Sequence, residues 1–191
     1  MDDATGNIIA SGQAFFVQGK VAGAGVTLNW DESMKGFGQT STGYFRQAAI
    51  KERLRIGYLL PDGTQADEII IRFASNASST TLNDDDIVSI NTGTQNIKSL
   101  KQGRGLAFNT RNTNFINDTV RLDVVSSSNG TFKLSFYDFD ELIQNTQANI
   151  YLLDNYKKEV QLMNNKQDYP FEVNITNPQT FGSNKIGRAH V

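Results

Sequence analysis

The 191-residue chain contains no cysteine, three prolines and a single histidine, His190. The lack of cysteine excludes disulfides and thiolate metal sites. Ser-His-Asp triads, Cys-His pairs and His-ligated zinc centres also need residues that the chain lacks or carries only at its end. We therefore predict that the chain is not an enzyme and that it uses no cofactor.

The sequence also has little net charge and no long apolar run. Its formal charge is −2, and its basic residues are scattered singly rather than gathered into a phosphate-binding stripe. No apolar stretch approaches about 18 residues, the length that a membrane-spanning helix requires. We therefore expect neither nucleic acid as a partner nor insertion into a membrane. The first residues do not resemble a signal peptide, because they are acidic and no apolar segment follows them.

The last six residues, 186–191, have an unusual nucleotide counterpart. The peptide IGRAHV back-translates into a string that matches a common sequencing-library adapter. We therefore predict one β-module over residues 1–185 that is cut within Lys185 and lacks its last strand, followed by a non-native tail. On this hypothesis the tail has no ordered packing, and His190 does not belong to the natural protein. The alternative is a natural flexible tail.

Short β-branched and aromatic runs, separated by turn residues about every 8 to 12 residues, dominate the chain. A hairpin is predicted over 53–73, because Pro61 preorganises the turn between two alternating runs. A second hairpin is predicted around 126–130, where Asn-Gly favours a tight turn. The pattern predicts an all-β fold of about a dozen short strands, packed as an antiparallel two-sheet sandwich of the immunoglobulin-like or jelly-roll-like kind. Further strands are predicted at 14–17, 26–30, 87–90, 105–108, 120–125, 131–136, 149–153, 159–163 and 170–174, with one turn of helix at 139–143.

Alternation along these strands also predicts the core, because successive side chains of a strand point to opposite faces. Large-to-alanine changes in such a core are expected to cost about 2 to 5 kcal/mol each. The predicted core residues are Phe16, Leu28, Leu54, Ile56, Ile69, Ile71, Phe73, Leu106, Phe108, Leu122, Val124, Leu134, Ile150, Leu152 and Phe171.

The densest acidic cluster is Asn83-Asp84-Asp85-Asp86. Calcium binds several carboxylate and carbonyl oxygens from one loop, so Asp84, Asp85 and Asp86 are its candidate ligands. The EF-hand pattern is absent, however, since there is no glycine at the sixth position and no glutamate at the twelfth. We favour a solvated turn whose aspartates accept hydrogen bonds from local amides, and we predict no strong metal site.

Other residue types suggest carbohydrate chemistry only weakly. A glycosidase needs two carboxylates roughly 5 to 9.5 Å apart, and nothing in the sequence brings two candidate acids face to face. Aromatic side chains can form a sugar-binding platform, but in strands they more often form the core or cross-strand pairs. The glycosylation sequons Asn76, Asn117, Asn129 and Asn174 indicate exposed loops. The candidate acids are Asp31-Glu32, Asp67-Glu68 and Asp138-Phe139-Asp140-Glu141, and the candidate platform residues are Trp30, Tyr44, Phe45, Tyr137, Tyr151 and Tyr156.

Several segments match, in order, a pattern found in one group of bacterial proteins. Residues 9–17 (IASGQAFFV) resemble I-x-x-G-Q-(G/A)-F-F-V, and residues 31–46 contain a counterpart of E-x-M-(R/K) … F-(F/R)-R. Residues 54–73 resemble L-R-L … D-E-x-(V/I)-(V/I)-R-F, residues 105–109 resemble x-L-A-I-N, and residues 150–171 resemble (V/I)-x-L-x-D … Y-x-F. This set resembles the β-sandwich module that precedes the C-terminal sorting domain in large Bacteroidetes surface proteins exported by the type IX secretion system.

The resemblance implies a secreted or cell-surface module that lies between upstream domains and a sorting domain, and it implies no catalytic residues. We therefore expect a structural or adhesive function, with neighbouring domains of the same polypeptide and surface glycans as partners. The first alternative is a carbohydrate- or calcium-binding module, and the second is a glycosidase-type enzyme domain. The family's usual final strand, R-F-x-L-x-F, is missing after Asn184.

One short motif suggests a modification. Asp118-Thr119-Val120 resembles the Asp-(Ser/Thr)-aliphatic acceptor of Bacteroidetes O-glycosylation, which acts on exported proteins. Thr119 is therefore a candidate glycan acceptor.

Overall fold

A computed structural model describes residues 27, 29, 52–90, 93–113, 118–164 and 166–190, with the backbone alone at 187–190. The chain divides into two compact units, residues 1–49 and 50–191, and every helix and strand of the described residues lies in the second. Several predictions lie outside the described residues: the strands at 14–17 and most of 26–30, the core residues Phe16 and Leu28, the acids Asp31 and Glu32, the aromatics Trp30, Tyr44 and Phe45, and the sequon at Asn117.

The regular secondary structure of the second unit is mostly strand, which confirms the all-β prediction. The predicted hairpin over 53–73 is also confirmed, with its turn closed by a hydrogen bond from the Leu60 N–H to the Thr64 carbonyl (2.8 Å). The helix at the predicted place is longer than one turn, and no helix in the described residues is long and apolar enough to cross a membrane. The strands are β1 Arg53–Leu59, β2 Gln65–Ala74, β3 Ile87–Val88, β4 Asn96–Lys101, β5 Arg104–Asn112, β6 Thr119–Val125, β7 Gly130–Tyr137, β8 Tyr151–Asp154, β9 Glu159–Leu162, β10 Tyr169–Val173 and β11 Ile186–His190; the helix α1 is Asp140–Thr146, and 3₁₀ turns lie at Pro178–Thr180 and Gly182–Asn184.

The strands pair in the order β10-β7-β1-β2-β5-β4-β6-β11-β8-β9, and β3 also pairs with β5. Among the described strands every pairing is antiparallel except that of β2 with β5, where Ile70 lies opposite Phe108 in a parallel register. The expectation of a purely antiparallel arrangement is therefore wrong at this pair. Parallel neighbours require a long crossover, which the segment carrying β3 and β4 provides between β2 and β5.

The connection between β6 and β7 shows that the sheet is curled. Five strand spacings separate them in the order β7-β1-β2-β5-β4-β6, or about 24 Å in a flat sheet. The chain from Val125 to Gly130 spans at most about 18 Å. The sheet must therefore curve until its two sides approach. The predicted β6–β7 hairpin is wrong, because the chain only bends at residues 127–128 and the two strands that it joins pair with other neighbours.

The core fills the concave side of this curved sheet, and most of the predicted core residues are buried there. Phe108 is the exception, since it is only half-buried. Alternation fails along β5, where Asn109, Thr110 and Arg111 are buried in succession and bonded to Ser99, Asp86 and Asp118. The sequence did not identify the buried aromatic stack of Tyr58, Phe132 and Phe171, except for its last member.

The C-terminal segment is part of the sheet. Strand β11 lies between β6 and β8, and Ile186 is fully buried in the core. The expectation that residues 186–191 have no ordered packing is therefore wrong for the backbone of 186–190. The physical reason is that β6 and β8 both offer backbone N–H and C=O groups, and almost any extended segment can pair with them.

Candidate functional site

The three aspartates considered as candidate calcium ligands, Asp84, Asp85 and Asp86, lie in different environments. Asp86 is buried with Lys101 at 2.9 Å, and their side chains are 2% and 1% exposed. Its carboxylate also accepts hydrogen bonds from the N–H groups of Thr110 (2.6 Å) and Asn83 (2.8 Å). Asp84 is exposed, and Asp85 forms a surface ion pair. Asp86 is therefore not solvated as expected, although it does accept a hydrogen bond from the local Asn83 amide, and it links the loop to β4 and β5. No three acidic or histidine side chains in the described ranges converge on one point.

Asp118, which precedes the candidate glycan acceptor, belongs to a second buried ion pair. Its carboxylate accepts two hydrogen bonds from the Arg111 guanidinium, one of them at 2.5 Å from Nε, and one from the Ser79 hydroxyl at 3.0 Å. Burial raises the pKa of Asp118, but these hydrogen bonds outweigh it and hold the pKa below its ordinary value. Thr119 is half-buried at the start of β6, and its glycosylation stays a prediction.

The candidate carboxylate pairs are engaged separately. Asp67 accepts a hydrogen bond from the Ile97 N–H at 3.0 Å, whereas Glu68 accepts hydrogen bonds from Arg55 and Tyr137. Because consecutive strand residues point to opposite faces, Asp67 and Glu68 cannot act on one substrate from opposite sides.

The other acids and polar candidates are distributed over the surface. Asp138 pairs with Arg53 and Asp140 pairs with Lys166. Tyr151 lies on β8, and the sequon residues Asn76, Asn129 and Asn174 are exposed, as the sequence indicated. These groups therefore do not form a single site.

A cleft of about 550 Å³ lies beside β10, the strand at one edge of the sheet. Its walls come from β10 and β7, from the turn between β8 and β9, and from the loop after β10. We call it the β10 cleft. It is lined by Thr131, Tyr156, Lys157, Pro170, Phe171, Glu172, Val173, Asn174, Asn177, Thr180 and Lys185.

Asp154, at the end of β8, fixes the inner wall of the β10 cleft. Its carboxylate binds the Lys185 ammonium at 2.7 Å and the Tyr169 hydroxyl at 2.6 Å, and both ionic side chains are 1% exposed. It also accepts a hydrogen bond from the Lys157 N–H at 2.8 Å, which holds the β8–β9 turn. Burial raises the pKa of Asp154, yet the hydrogen bonds from Lys185 and Tyr169 bring the pKa below its ordinary value.

The turn places an aromatic ring at the mouth of the cleft. Tyr156 is 45% exposed, and the Lys185 ammonium lies 4.8 Å from its ring centroid. Lys157 lies 5.4 Å from the ring centroid of Tyr169. The cation–π contact with Lys185 holds the Tyr156 ring against the cleft wall without burying it.

The lining from β10, β7 and the loop after β10 presents polar groups. Glu172 and Thr131 are exposed and lie opposite each other on β10 and β7. The side-chain oxygens of Asn174 and Asn177 cap local turns, by accepting from the N–H groups of Thr176 (3.0 Å) and Gln179 (3.1 Å). Within the described residues neither amide nitrogen has a protein acceptor, so both remain free to donate to a ligand.

Comparison with known families identifies the family of this chain. Residues 2–180 match the family model DUF8693, described as a domain of unknown function. The chain belongs to the DUF8693 family. No curated protein and no solved structure matches it. The DUF8693 match includes strands β1 to β10 and every residue that lines the β10 cleft except Lys185.

Sequence reasoning named only part of this site. Tyr156 was among the aromatic candidates and Asn174 was a sequon, but Lys157, Glu172 and Asn177 carried no recognisable signal. They come from separate segments, and only the pairing of β10 with β7 and the bond between Tyr169 and Asp154 bring them together.

The buried carboxylates predict how the stability of the DUF8693 domain depends on pH. The pKa values of Glu68, Asp118 and Asp154 are all lowered by their hydrogen-bond partners, against the effect of burial. Their stabilisation is therefore fully present above the unfolded-state pKa of about 4 and is lost as the pH falls through the lower folded values. Urea unfolding midpoints should fall steeply below about pH 4. In Asp118→Asn this dependence should be shallower, and a midpoint constant down to about pH 3 would contradict the expectation.

Proposed function

We propose that this DUF8693 domain is a non-catalytic structural or adhesive module of a secreted, cell-surface bacterial protein. The observation that carries the proposal is that three buried ion pairs, Lys101–Asp86, Arg111–Asp118 and Lys185–Asp154, satisfy their charges within the fold. A catalytic acid or base must instead reach a substrate proton. Buried pairs of this kind fix the relative positions of strands and loops, which suits a module that transmits or resists force.

A sandwich of immunoglobulin-like or jelly-roll-like kind is part of this proposal. The strands from β10 to β6 would form one sheet, and β6, β11, β8 and β9 the other. The bond between Tyr169 on β10 and Asp154 on β8 supports it, because it joins strands near the two ends of the pairing order. Adhesive modules of secreted proteins are commonly sandwiches, because all loops lie at the two ends of such a fold.

The proposed export rests on the ordered segments of the sequence. The DEIIIRF segment of β2 and the GLAFN segment of β5 lie in adjacent strands, so two of the matching segments form one structural unit. The type IX system and a bacterial cell surface are proposed on this resemblance.

The experiment separates adhesion from catalysis. Beads coated with the folded domain should be retained on immobilised glycans or extracellular proteins, and the domain should release no reducing ends from labelled oligosaccharides. Retention no greater than that of albumin-coated beads would contradict the adhesive function. Hydrolysis that disappears in Glu68→Gln would contradict the non-catalytic function.

Carbohydrate binding is the second candidate, favoured by one observation. The β10 cleft combines an exposed aromatic ring with free amide and carboxylate groups, which is the composition of a specific small-ligand site.

A further inference from the structure

The free edge of β10 is poorly suited to receive another strand. In an antiparallel ladder the backbone groups of alternate residues point to the same side. Because Pro170 cannot donate a hydrogen bond to β7, the backbone nitrogens of positions 170, 172 and 174 point away from β7. Pro170 has no N–H, and the N–H of Asn174 already donates to the Thr180 hydroxyl at 2.9 Å. An added peptide strand would find only the N–H of Glu172. The β10 cleft therefore favours a ligand that binds side chains.

The charges around the cleft balance. Lys157 and Glu172 carry opposite charges, and Asp154 neutralises Lys185 through their buried contact. A phosphate or a uronate would meet as much negative as positive charge, so its desolvation would not be compensated. The charge balance therefore favours a neutral ligand.

The remaining groups suit a polyhydroxylated ligand. Glu172 accepts hydrogen bonds, while the free amide groups of Asn174 and Asn177 donate them, so the wall can bind hydroxyls that are both donors and acceptors. The exposed ring of Tyr156 offers an apolar surface with a polar tip. The volume of about 550 Å³ lies within the range of small-molecule sites.

We propose that the β10 cleft binds a neutral sugar residue, whose ring packs on Tyr156 and whose hydroxyls are bound by Glu172, Asn174 and Asn177. The proposal rests on the non-catalytic adhesive function and specifies the chemistry that the surface recognises. Tyr156 contributes contact area, and the asparagines select ring hydroxyls. Tyr156 is supported by Lys185, which Asp154 holds in place, and the asparagines are held by the turns that they cap.

The test uses the full chain and a panel of neutral disaccharides built from hexoses, deoxyhexoses and N-acetylhexosamines, with digalacturonate as the acidic probe. Saturation-transfer NMR identifies the bound probe, and calorimetric titration measures its affinity. At least one neutral probe should bind with a Kd of about 1 mM or tighter. Tyr156→Ala should weaken this binding by at least about tenfold, which corresponds to about 1.4 kcal/mol. Glu172→Gln should weaken it while leaving the melting temperature unchanged.

The matched control is Tyr151→Ala, which removes a tyrosine of similar exposure (37%) outside the cleft and should leave sugar binding unchanged. The proposal is overturned if no neutral probe binds, if digalacturonate binds more tightly, or if Tyr156→Ala binds as the unaltered chain does. If the beads still adhere to a protein-coated surface in any of these cases, the adhesive function stands and only the sugar site is contradicted. If the unaltered chain shows neither sugar binding nor adhesion, both proposals are contradicted.

Discussion

Phe132→Ala is expected to lower the free energy of unfolding by about 3 to 5 kcal/mol, because it removes a large side chain from the centre of the core. Phe132 is fully buried on β7, and its ring centroid lies 5.4 Å from that of Tyr58 and 6.3 Å from that of Phe171. The three residues lie on adjacent strands, β1, β7 and β10. The truncation would leave a cavity that the flanking strands cannot close.

The control is Val160→Ala, which removes an apolar side chain that is 64% exposed on β9. Surface changes of this kind alter stability by about 0.5 kcal/mol or less. Chemical unfolding of the two variants, with equal denaturant slopes, measures the difference. A loss below about 1 kcal/mol for Phe132→Ala would contradict the assignment of this stack to the core.

The parts of the fold that sequence predicts well are local. The β1–β2 hairpin follows from alternating residues on both sides of Pro61-Asp62-Gly63, and the buried positions Ile69, Ile71 and Phe73 follow from the same alternation. Each of these features depends on neighbours within a few residues along the chain. Hydrophobic periodicity and turn chemistry contain that information.

The pairing of distant strands was not predictable in this way. Asn129-Gly130 favours a tight turn, but the chain only bends at residues 127–128. Strands β6 and β7 do not pair with each other, because both edges of β6 are paired with β4 and β11 and both edges of β7 with β1 and β10. Strand β4 was missed altogether, because Ser99 and Lys101 are polar although both are buried. The Lys101 ammonium is stabilised there by Asp86 and by the Thr110 carbonyl, partners that lie on other segments. Periodicity cannot show that a buried polar residue has such a partner.

The β10 cleft could not be predicted from the sequence for the same reason. An exposed tyrosine can be proposed from sequence. The other groups that line the cleft beside Tyr156 come from β10, from the loop after β10 and from the β8–β9 turn. Their convergence depends on Asp154, whose three hydrogen-bond donors are Lys157, Tyr169 and Lys185. A lone aspartate at a strand end carries no sign of that role.

Asp118→Ala is expected to cost about 3 to 5 kcal/mol, because it leaves a buried guanidinium without its counter-ion. The side chains of Arg111 and Asp118 are 5% and 11% exposed, and Asp118 also accepts hydrogen bonds from the Ser79 hydroxyl and the Thr119 N–H. The change would remove two of the hydrogen bonds that join Arg111, near the end of β5, to the start of β6, and would leave the one to the Thr119 carbonyl at 3.2 Å. The matched control is Asp85→Ala, whose ion pair with Arg72 is on the surface, with the aspartate side chain 63% exposed. That variant should lose about 1 kcal/mol or less.

A double variant distinguishes the loss of attraction from the cost of an unpaired charge. If the penalty of Asp118→Ala comes from the isolated guanidinium, Arg111→Met combined with Asp118→Leu should restore much of the stability, since apolar residues of similar size often replace a buried pair without loss. The proteins should be produced in a host without O-glycosylation, because Asp118 also belongs to the candidate acceptor motif. Denaturant unfolding of the double variant and of its matched singles, Arg111→Met and Asp118→Leu, gives the coupling energy between the two sites. A single Asp118→Ala variant as stable as Asp85→Ala would contradict the structural role of this pair. A double variant no more stable than Asp118→Ala would show that the lost hydrogen bonds to Ser79 and Thr119, rather than the unpaired charge, determine the loss of stability.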